Sequence, residues 1–489
     1  MAKRTAVIDI GSNSVRMIII EKTSRYAFHL LHEVKSRVRI SEDAYQNGGE
    51  LQEAAMKRAL SALKDFIQIA QSYDVRKTLC VATSAVRDAN NKKQFLSLAK
   101  KELGLNIKVI SGEREAYLGG IACANLLPQQ DAMTLDIGGG SSECACIENG
   151  KVIDSDSLDL GTVRLKELFF DHGDIKGAKA YIDTALEKLK ADEQKHIIGV
   201  GGTFRALAQI LLKAKKHPLN KVHGFSFDAK ELVTLGEMII AAKGRSGLKE
   251  LGVKKDRYDV IKPGTLILLR IIKKVGAKRL TCSGVGVREG LYLSDLLRNN
   301  KDIFPANFNP SLTYLVDQHS HNAQQRNLRV KLVKELFSQL HRQLHLEPEF
   351  EKSLLIAAKL AKIGASHHFY SFQNHSHYLT LTALEYGYSH QEIALISMLV
   401  LHQLGKGVKK SYIEEYQVLL PSLQTIKLLT NILALSDALL AHHPSKIDFE
   451  LGVEKGKLIV SSAKQSAYLA QESVNAINGN EIEVAFRVK

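Results

Sequence analysis

Two stretches of the chain share a pattern that restricts the folds available to it. Residues 7–16, VIDIGSNSVR, and residues 134–143, TLDIGGGSSE, each contain an apolar run, Asp, Ile, Gly, and then small hydroxyl or amide residues. Their aspartates, Asp9 and Asp136, lie 127 positions apart. Apolar, β-branched residues before and after each turn predict a strand–turn–strand hairpin. The chain therefore contains a duplicated strand-turn unit.

The composition of the two turns suits phosphate. Glycines allow backbone N–H groups to approach anionic oxygens closely, and serine side chains add further donors. The aspartate cannot bind phosphate directly, so it must hold a cation or a water, which points to Mg²⁺-linked phosphate chemistry. No GxxxxGK[ST] segment occurs, which separates the turns from a Walker A loop.

The order of predicted elements indicates the architecture. Strands and helices alternate up to residue 300, with helices predicted at 51–73 and 113–127, and this alternation is typical of an α/β fold. Residues 301–312 contain two prolines and little periodicity, so we expect a break there. Residues 313–461 then read as successive helices that close with a hairpin at 449–462.

Bulk composition bounds the partners. A net charge of +15 over 489 residues favours nucleic acid, anionic lipid or a highly phosphorylated substrate. No RNA-binding or zinc-finger pattern accompanies the charge, so nucleic acid is not the leading partner. No apolar run approaches the ~18 residues of a membrane span, no signal-peptide pattern begins the chain, and the five cysteines show no CxxC spacing. We therefore expect a cytoplasmic protein without a membrane partner.

The two hairpins, with a third glycine turn in GVGGT (199–203), resemble the actin/hexokinase/Hsp70 superfamily of phosphotransferases. Four further segments make the resemblance specific. They are VATSAVRDANN (81–91), ISGEREAYLGG (110–120), LGTVRLKE (160–167) and SGVGVREG (283–290). Together with DIGSNSVRM and DIGGGSSE, these segments resemble the exopolyphosphatase/guanosine pentaphosphate phosphatase (Ppx/GppA) family, and they occur along the chain in the order that the family has.

The resemblance implies two actin-like (RNase H-like) α/β subdomains, 1–124 and 125–302, that flank a cleft. It also implies a mainly α-helical C-terminal domain, 312–489, similar to the HD phosphohydrolases. A working HD site needs a His-Asp doublet to bind metal, and this chain has Ala361-Lys362 at the matching place. We expect this domain to be catalytically inactive and to serve substrate binding, channel formation or dimerisation. A homodimer is expected from the family.

The acids of the implied site follow by position. The family's catalytic glutamate matches Glu115, whose implied role is to orient or deprotonate the attacking water. Glu113 lies two residues away, and on a helix the two would point about 200° apart, so only one is expected to face the cleft. Asp136 and Glu143 match the acidic pair of the second turn, and Asp9 is the equivalent acid of the first. All three are expected to lie at Mg²⁺ or its waters.

The resemblance also implies phosphate-holding residues, contributed by both turns, by two arginines and by the third glycine turn. They are Gly11, Ser12, Asn13, Ser14, Arg16, Arg87, Gly138, Gly139, Gly140, Ser141, Ser142, Gly202 and Thr203. A guanidinium fork suits phosphate oxygens better than an ammonium does. Arg257 is a weaker candidate for gripping substrate remote from the reaction.

These residues predict a Mg²⁺-dependent phosphohydrolase that removes terminal phosphate from inorganic polyphosphate, from guanosine pentaphosphate, or from both. Each substrate presents the same terminal phosphoanhydride, so the motifs do not choose between them; the charge leans towards the longer polyanion. Two alternatives stay open: a kinase of the same superfold, and a sensor that binds polyphosphate or the alarmone without turnover. The GEREA segment favours hydrolysis over the kinase, and Glu115, Asp136 and Glu143 favour an enzyme over the sensor.

Overall fold

Each predicted hairpin becomes the centre of a sheet in the first of two compact units, Met1–Phe308 and Asn309–Lys489. The computed structural model describes residues 3–44, 47–190, 194–462 and 468–488. The strands of the first unit are β1 (Lys3–Ile10), β2 (Val15–Lys22), β3 (Phe28–Ser36), β4 (Lys77–Ala82), β5 (Lys108–Val109), β6 (Ala132–Ile137), β7 (Ser142–Glu148), β8 (Lys151–Leu158), β9 (His196–Val200), β10 (Ser226–Asp228) and β11 (Arg279–Cys282). Its helices are α1 (Glu53–Ser72), α2 (Ser84–Arg87), α3 (Lys92–Leu103), α4 (Gly112–Leu126), α5 (Thr162–Leu168), α6 (Ile175–Leu186), α7 (Gly201–Ala214), α8 (Ala229–Ala241), α9 (Gly244–Glu250), α10 (Ile261–Val275) and α11 (Val287–Leu296), with 3₁₀ turns at Phe170–His172 and Lys255–Arg257.

The two sheets repeat one arrangement. Within the described residues, the first has the strand order β3-β2-β1-β4-β5 and the second β10-β11-β9-β6-β7-β8. In both, the hairpin is antiparallel, and the first hairpin strand pairs in parallel with a later strand, β4 in one sheet and β9 in the other. Parallel strands end at the same edge, so each hairpin turn lies beside a strand end that leads into a helix. The α/β prediction with two subdomains is confirmed.

Separate apolar cores fix the two sheets. Ile8, Met17 and Leu63 belong to a core between the first sheet and α1, while Leu135 and Phe204 belong to a second core around β6 and α7. Burying a side chain of this size contributes about 1.5–3 kcal/mol. Each turn is therefore supported by a sheet with its own packed core.

Helix α4 begins at a well-defined position. The Ser111 hydroxyl accepts a hydrogen bond from the Arg114 backbone N–H at 3.2 Å, which caps the first turn. The helix packs on β7 and β8 of the second sheet and on α11. The subdomain boundary predicted at residues 124 and 125 falls near the end of this helix and stays a prediction. What the packing fixes is the direction in which the first turn of α4 points.

The C-terminal unit is largely helical, as predicted. Its helices are α12 (Pro310–His319), α13 (Ala323–Leu340), α14 (Phe350–Leu360), α15 (Phe372–Ala383), α16 (His390–His402), α17 (Lys410–Tyr416), α18 (Leu423–Leu439) and α19 (Tyr468–Asn475), with 3₁₀ turns at Ile363–Ser366 and Gln417–Leu419. The predicted hairpin at 449–462 forms as β12 (Phe449–Glu454) and β13 (Lys457–Ser462), and β14 (Val484–Val488) extends it in parallel.

A helix that crosses a bilayer must be long and apolar, and the helices of the described residues can be compared with that requirement. No helix there is by itself long and apolar enough to cross a bilayer, and one pair, Lys410–Leu419 with Leu423–Leu439, meets the length and composition test only when its members are taken together across a 113° bend.

Candidate active site

The two glycine-rich turns face each other inside the N-terminal unit. A Cβ atom added at Gly139 of the second turn would lie 2.7 Å from the Cβ of Ser12 in the first, so the turns are in close contact. Beside this contact opens a cleft of about 930 Å³, lined by both turns, by α4 and by the N-terminal end of α11. The cleft is therefore formed by parts of the chain that are distant in sequence.

The turns themselves are equivalent. The Gly11 N–H donates to the Ser14 carbonyl at 3.2 Å, and the Gly138 N–H donates to the Ser141 carbonyl at 2.9 Å. In each turn the bond joins a residue to the third residue after it. The donors, Gly11 and Gly138, and the acceptors, Ser14 and Ser141, are each 127 positions apart, as the two aspartates are. The duplication is thus a duplication of backbone structure.

The same offset relates the charged residues at the ends of the hairpins. Asp9 pairs in register with Arg16, and Asp136 pairs with Glu143. Arg16 and Glu143 therefore occupy equivalent positions in the two hairpins with opposite charges. One hairpin presents an aspartate and an arginine to the cleft, and the other presents an aspartate and a glutamate.

Glu115 enters the cleft from the first turn of α4. An Arg87 Nη1 donates to its Oε2 at 3.2 Å and contacts the Ile110 carbonyl at 3.4 Å, while Glu113 is exposed, as the helical spacing predicts. Burial and then the Glu143 carboxylate raise the pKa of Glu115 well above its usual range. A carboxyl group in this state is a stronger proton acceptor once ionised.

The other acids of the cleft differ in how well they are paired. Burial raises the pKa of Asp9 to about 6 and raises the pKa of Asp136 and of Glu143. The Asp9 Oδ1 is buried without a hydrogen-bond partner. Glu143 accepts hydrogen bonds from the hydroxyls of Ser141 and of Ser157, the second at 3.2 Å. An unpaired buried carboxylate oxygen is costly, and a bound cation would remove that cost.

These carboxylates offer the oxygen donors that a Mg²⁺ ion takes in proteins. Among the described residues, no three His, Cys, Asp or Glu side chains lie close enough to form a complete metal site. Mg²⁺ suits such a site, because it binds through one or two carboxylates plus phosphate oxygens and keeps several waters. Space beside Asp136 is kept by Gly201, where φ is +83° and a Cβ would lie 2.2 Å from the Asp136 Oδ1.

Cations line the cleft together with the acids. They are Arg16, Lys35, Arg205, Arg257 and Arg288. Burial and then Arg205 and Arg288 lower the pKa of Arg16 to about 10. Partial burial and then Arg16 and Arg257 lower the pKa of Lys35 to about 8. Burial is the main cause of both shifts, and repulsion by the neighbouring arginines adds to it. A polyanion in the cleft would relieve that repulsion.

Two of these arginines are held firmly by the protein. Arg205 donates to the carbonyl of Gly284 at 2.9 Å and to that of Gly201 at 3.1 Å. Arg288 is 6% exposed and donates to Glu33 at 2.8 Å. Because their rotamers are fixed before any ligand binds, these side chains lose little entropy on binding an anion.

The structure brings most of the predicted residues together. The cleft is lined by Asp9, Gly11, Ser12, Asn13, Ser14, Arg16, Glu115, Asp136, Gly138, Gly139, Ser141, Glu143, Gly202, Thr203 and Arg257. Three predicted residues do not line it. Arg87 bonds to Glu115, Ser142 donates its hydroxyl to a backbone carbonyl, and Gly140 is buried with its carbonyl accepting from an arginine at 2.8 Å.

Sequence reasoning gave no role to several other residues of the lining. They are Lys35, Thr83, Ser84, Thr162, Gly201, Arg205, Gly286, Arg288 and Glu289. Most belong to the segments on which the resemblance rests, 81–91, 160–167 and 283–290, so their chemistry was within reach of the sequence. Lys35 lies on β3, which carries no motif, and only the fold brings it to the cleft.

The C-terminal unit has an ion pair at the position of the missing His-Asp doublet. The Lys362 Nζ lies 3.4 Å from the Asp437 Oδ1, which also accepts from Arg329 at 2.6 Å. Burial by itself would raise the pKa of Asp437, but Arg329 and Lys362 outweigh it and together hold that pKa below its usual value. His377 and His402 bond through Nδ1 to backbone carbonyls. Where the sequence lacks the His-Asp doublet, the structure thus has a lysine paired with an acid.

Comparisons with known proteins place these observations in a family. Residues 18–299 match the Ppx/GppA phosphatase family and residues 310–453 match Ppx/GppA phosphatase domain III. A Ppx/GppA family member from Aquifex aeolicus is 28% identical with a TM-score of 0.54, and the match covers 61% of this chain and 99% of that one. An exopolyphosphatase from Cytophaga hutchinsonii ATCC 33406 is 26% identical with a TM-score of 0.56, over 62% of this chain and 100% of that one. The family match spans more than half of the chain, which therefore belongs to the Ppx/GppA phosphatase family.

Proposed function

We propose that the protein is a Mg²⁺-dependent phosphohydrolase that removes terminal phosphate from inorganic polyphosphate, from guanosine pentaphosphate, or from both. The observation that carries this proposal is the position of Glu115. Its carboxylate is held by Arg87 on one side and faces the cleft between the two phosphate-binding turns on the other. Family membership supports phosphatase chemistry in general, and the substrate and the metal are our inference.

In this mechanism Glu115 orients a water and takes one of its protons as the water oxygen attacks the terminal phosphorus. A new bond forms between that oxygen and phosphorus, and the bridging P–O bond to the next phosphate breaks. The shortened chain leaves with the bridging oxygen, and inorganic phosphate is released. Because phosphoryl transfer requires mainly positioning and charge stabilisation, one well-placed base and a ring of fixed donors are sufficient.

The other residues of the cleft would bind the metal and orient the terminal phosphate. One or two of Asp136, Glu143 and Asp9 would hold Mg²⁺ directly, and the rest would hold it through its waters. The ion, when bound, would neutralise charge on the phosphate oxygens. Backbone N–H groups and hydroxyls of the two turns would hold the terminal phosphate from opposite sides. Arg16 and Arg288 would neutralise the oxygens on which charge develops.

Features of the cleft favour polyphosphate over the nucleotide. Five cations line it, enough to contact several phosphate groups, together with five acids whose charge a bound cation would partly offset. None of the described residues that line it is aromatic, so the cleft offers no ring on which a guanine base would stack. The net charge of +15 adds attraction for a long polyanion.

Release of inorganic phosphate from polyphosphate and, separately, from guanosine pentaphosphate tests the proposal. With Mg²⁺ present, Glu115→Gln should lower kcat by about 100-fold or more, because it removes the base and leaves the shape of the side chain. Glu113→Gln is the matched control, since it makes the same chemical change on an exposed residue of the same helical turn. It should leave kcat within about twofold.

Three results would contradict parts of this proposal. Wild-type protein that releases phosphate from neither substrate with Mg²⁺ would exclude the enzyme, and tight binding in that case would favour the sensor. Full activity in Glu115→Gln would exclude Glu115 as the base. Equal activity with and without Mg²⁺ in a chelated buffer would exclude the metal requirement.

A further inference from the structure

A second cavity lies at the opposite end of the first sheet from the cleft. It measures about 1020 Å³ including the space open to solvent, and it shares no lining residue with the cleft. Strand β1 begins at this cavity with Lys3 and Arg4 and reaches the cleft at Asp9. Five residue steps of extended strand lead from Arg4 to Asp9, a distance of about 17 Å. The cavity is thus a distinct feature of the same sheet.

Cations dominate the lining of this cavity. They are Lys3, Arg4, Lys22, Arg76, Lys77 and Arg298, against one acid, Asp295. Asp295 is shared by two of them, since it lies 2.6 Å from the Lys77 Nζ and 3.3 Å from an Arg298 Nη1. Arg4 is paired as well, with Glu21 at 2.9 Å, so the positive excess of the lining rests mainly on Lys3 and Lys22.

Two lysines at the rim face each other directly. Lys3 of β1 and Lys22 of β2 are partners in the antiparallel ladder. Side chains in such a position have Cβ atoms about 4.5–5.5 Å apart, and like charges there are destabilising. Within the described residues, neither lysine forms an ion pair. An anion bound between the two ammonium groups would turn this repulsion into attraction.

Tyr292 adds a buried donor to the same cavity. Its side chain lies on α11, is 4% exposed and packs edge-on against Phe28 with ring centroids 5.1 Å apart. The hydroxyl oxygen is buried and has no hydrogen-bond partner. Buried polar groups are normally paired, so the unpaired hydroxyl of a residue that lines a cationic cavity indicates a ligand that accepts its hydrogen bond.

We propose that this cavity binds a condensed phosphate, two or more linked phosphate groups, between Lys3, Lys22 and the Tyr292 hydroxyl. We call it the distal phosphate site. A singly charged anion would leave most of the positive charge uncompensated, whereas a condensed phosphate carries several charges on a flexible chain. The site shares α11 with the cleft, since Arg288 lies one helical turn before Tyr292.

Calorimetric titration with inorganic triphosphate, without divalent cations, tests the distal phosphate site in the full chain. Wild-type protein should show two binding events. Tyr292→Phe should weaken one of them about tenfold, because only the hydroxyl is removed. Lys22→Glu should abolish the same event and should raise the midpoint of thermal unfolding, since the new carboxylate faces Lys3. A parallel titration with GTP tests whether the linked phosphates can belong to a nucleotide. Binding of either triphosphate or GTP at the distal phosphate site supports the proposal.

Two control variants make the result specific. Lys64→Glu makes the same charge change at an exposed position of α1, away from both cavities, and should leave both events intact. Arg205→Ala should weaken only the other event, so failure of the proposed cleft function and failure of the distal phosphate site are distinguishable. A single event that responds to Arg205→Ala and not to Tyr292→Phe or Lys22→Glu would overturn the proposal. Equal weakening by Lys64→Glu and Lys22→Glu would also overturn it.

Discussion

Lys35 is one of the five cations of the cleft, and its charge changes nearest to neutral pH. Partial burial, followed by Arg16, Arg257 and Arg37, lowers its pKa to about 8, and Asp256 opposes the shift. The side chain is therefore charged below that pH and neutral above it. Because phosphate binding uses positive charge, the cleft should attract its substrate less well as the pH rises past this value.

We expect the KM for polyphosphate to rise by up to about tenfold per pH unit above pH 8, with a smaller change in kcat. In Lys35→Arg this rise should move to higher pH, because a guanidinium keeps its charge throughout that range. In Lys35→Met the KM should be high and flat. Initial rates from about pH 6.5 to about 9.5 check this expectation. An unchanged profile in Lys35→Arg would assign the titration to another group.

Single residues also show how far the sequence alone reaches. Glu115 and Glu113 were separable in advance, because helical geometry sends neighbours two apart in different directions. Ser142 was expected at phosphate together with the rest of its turn. It begins β7, and its buried hydroxyl bonds to a backbone carbonyl. A side chain at the first position of a strand follows the strand's alternation, and the composition of a turn does not reveal where that alternation starts.

At the scale of elements, the contact between the two turns is the most sensitive feature. A Cβ at Gly139 would lie 2.7 Å from the Ser12 Cβ, a distance that ordinary packing does not reach. Gly139→Ala should therefore push the turns apart. We expect a decrease of about tenfold or more in kcat/KM, with a loss of about 1–3 kcal/mol in the free energy of unfolding.

Second-site changes separate this clash from other causes. Ser12→Gly combined with Gly139→Ala should restore part of the activity, because it removes the atom that clashes. Ser12→Ala removes the same hydroxyl, keeps the Cβ and should give no rescue. Gly119→Ala lies on α4, where a Cβ meets nothing within 4 Å, and should stabilise the protein by about 0.5–1 kcal/mol without loss of rate. Equal rescue by both Ser12 variants in a double-mutant cycle would contradict the steric explanation.

The elements found in advance are those with strong local patterns. Both hairpins followed from apolar β-branched runs around a turn, and α1 followed from its helical spacing. Strands β3 and β14 were not predicted, because their residues are mostly half-buried or exposed and alternate without a continuous apolar face. Both are held by pairing with a neighbouring strand. Such pairing depends on the fold and leaves little trace in a single sequence.

At the scale of the whole molecule, every residue that lines the cleft belongs to residues 1–308. The Aquifex aeolicus structure is matched over 99% of its length by 61% of this chain, so a shorter relative has the fold without further residues. We expect residues 1–308, produced alone, to fold cooperatively and to hydrolyse short polyphosphates with a kcat within about tenfold of the full chain. Circular dichroism and phosphate release check the two parts.

The contrary result would be equally informative. If residues 1–308 fold with a normal melting transition and yet release no phosphate, the C-terminal unit must supply something that the cleft lacks. The same measurement with Glu115→Gln in the shortened protein is the control, since it should remove whatever activity remains.

The opposite charges at equivalent positions of the two hairpins, Arg16 in one and Glu143 in the other, have a consequence for direction. A linear polyphosphate has identical ends and no sense of its own. A clamp with matching halves would accept the chain in either sense. Here one half pairs an aspartate with an arginine and the other half has two acids. On the proposed function, a bound chain would therefore have a head, where hydrolysis occurs, and a tail among the cations. Successive cuts would then proceed from whichever end of the molecule entered the cleft first.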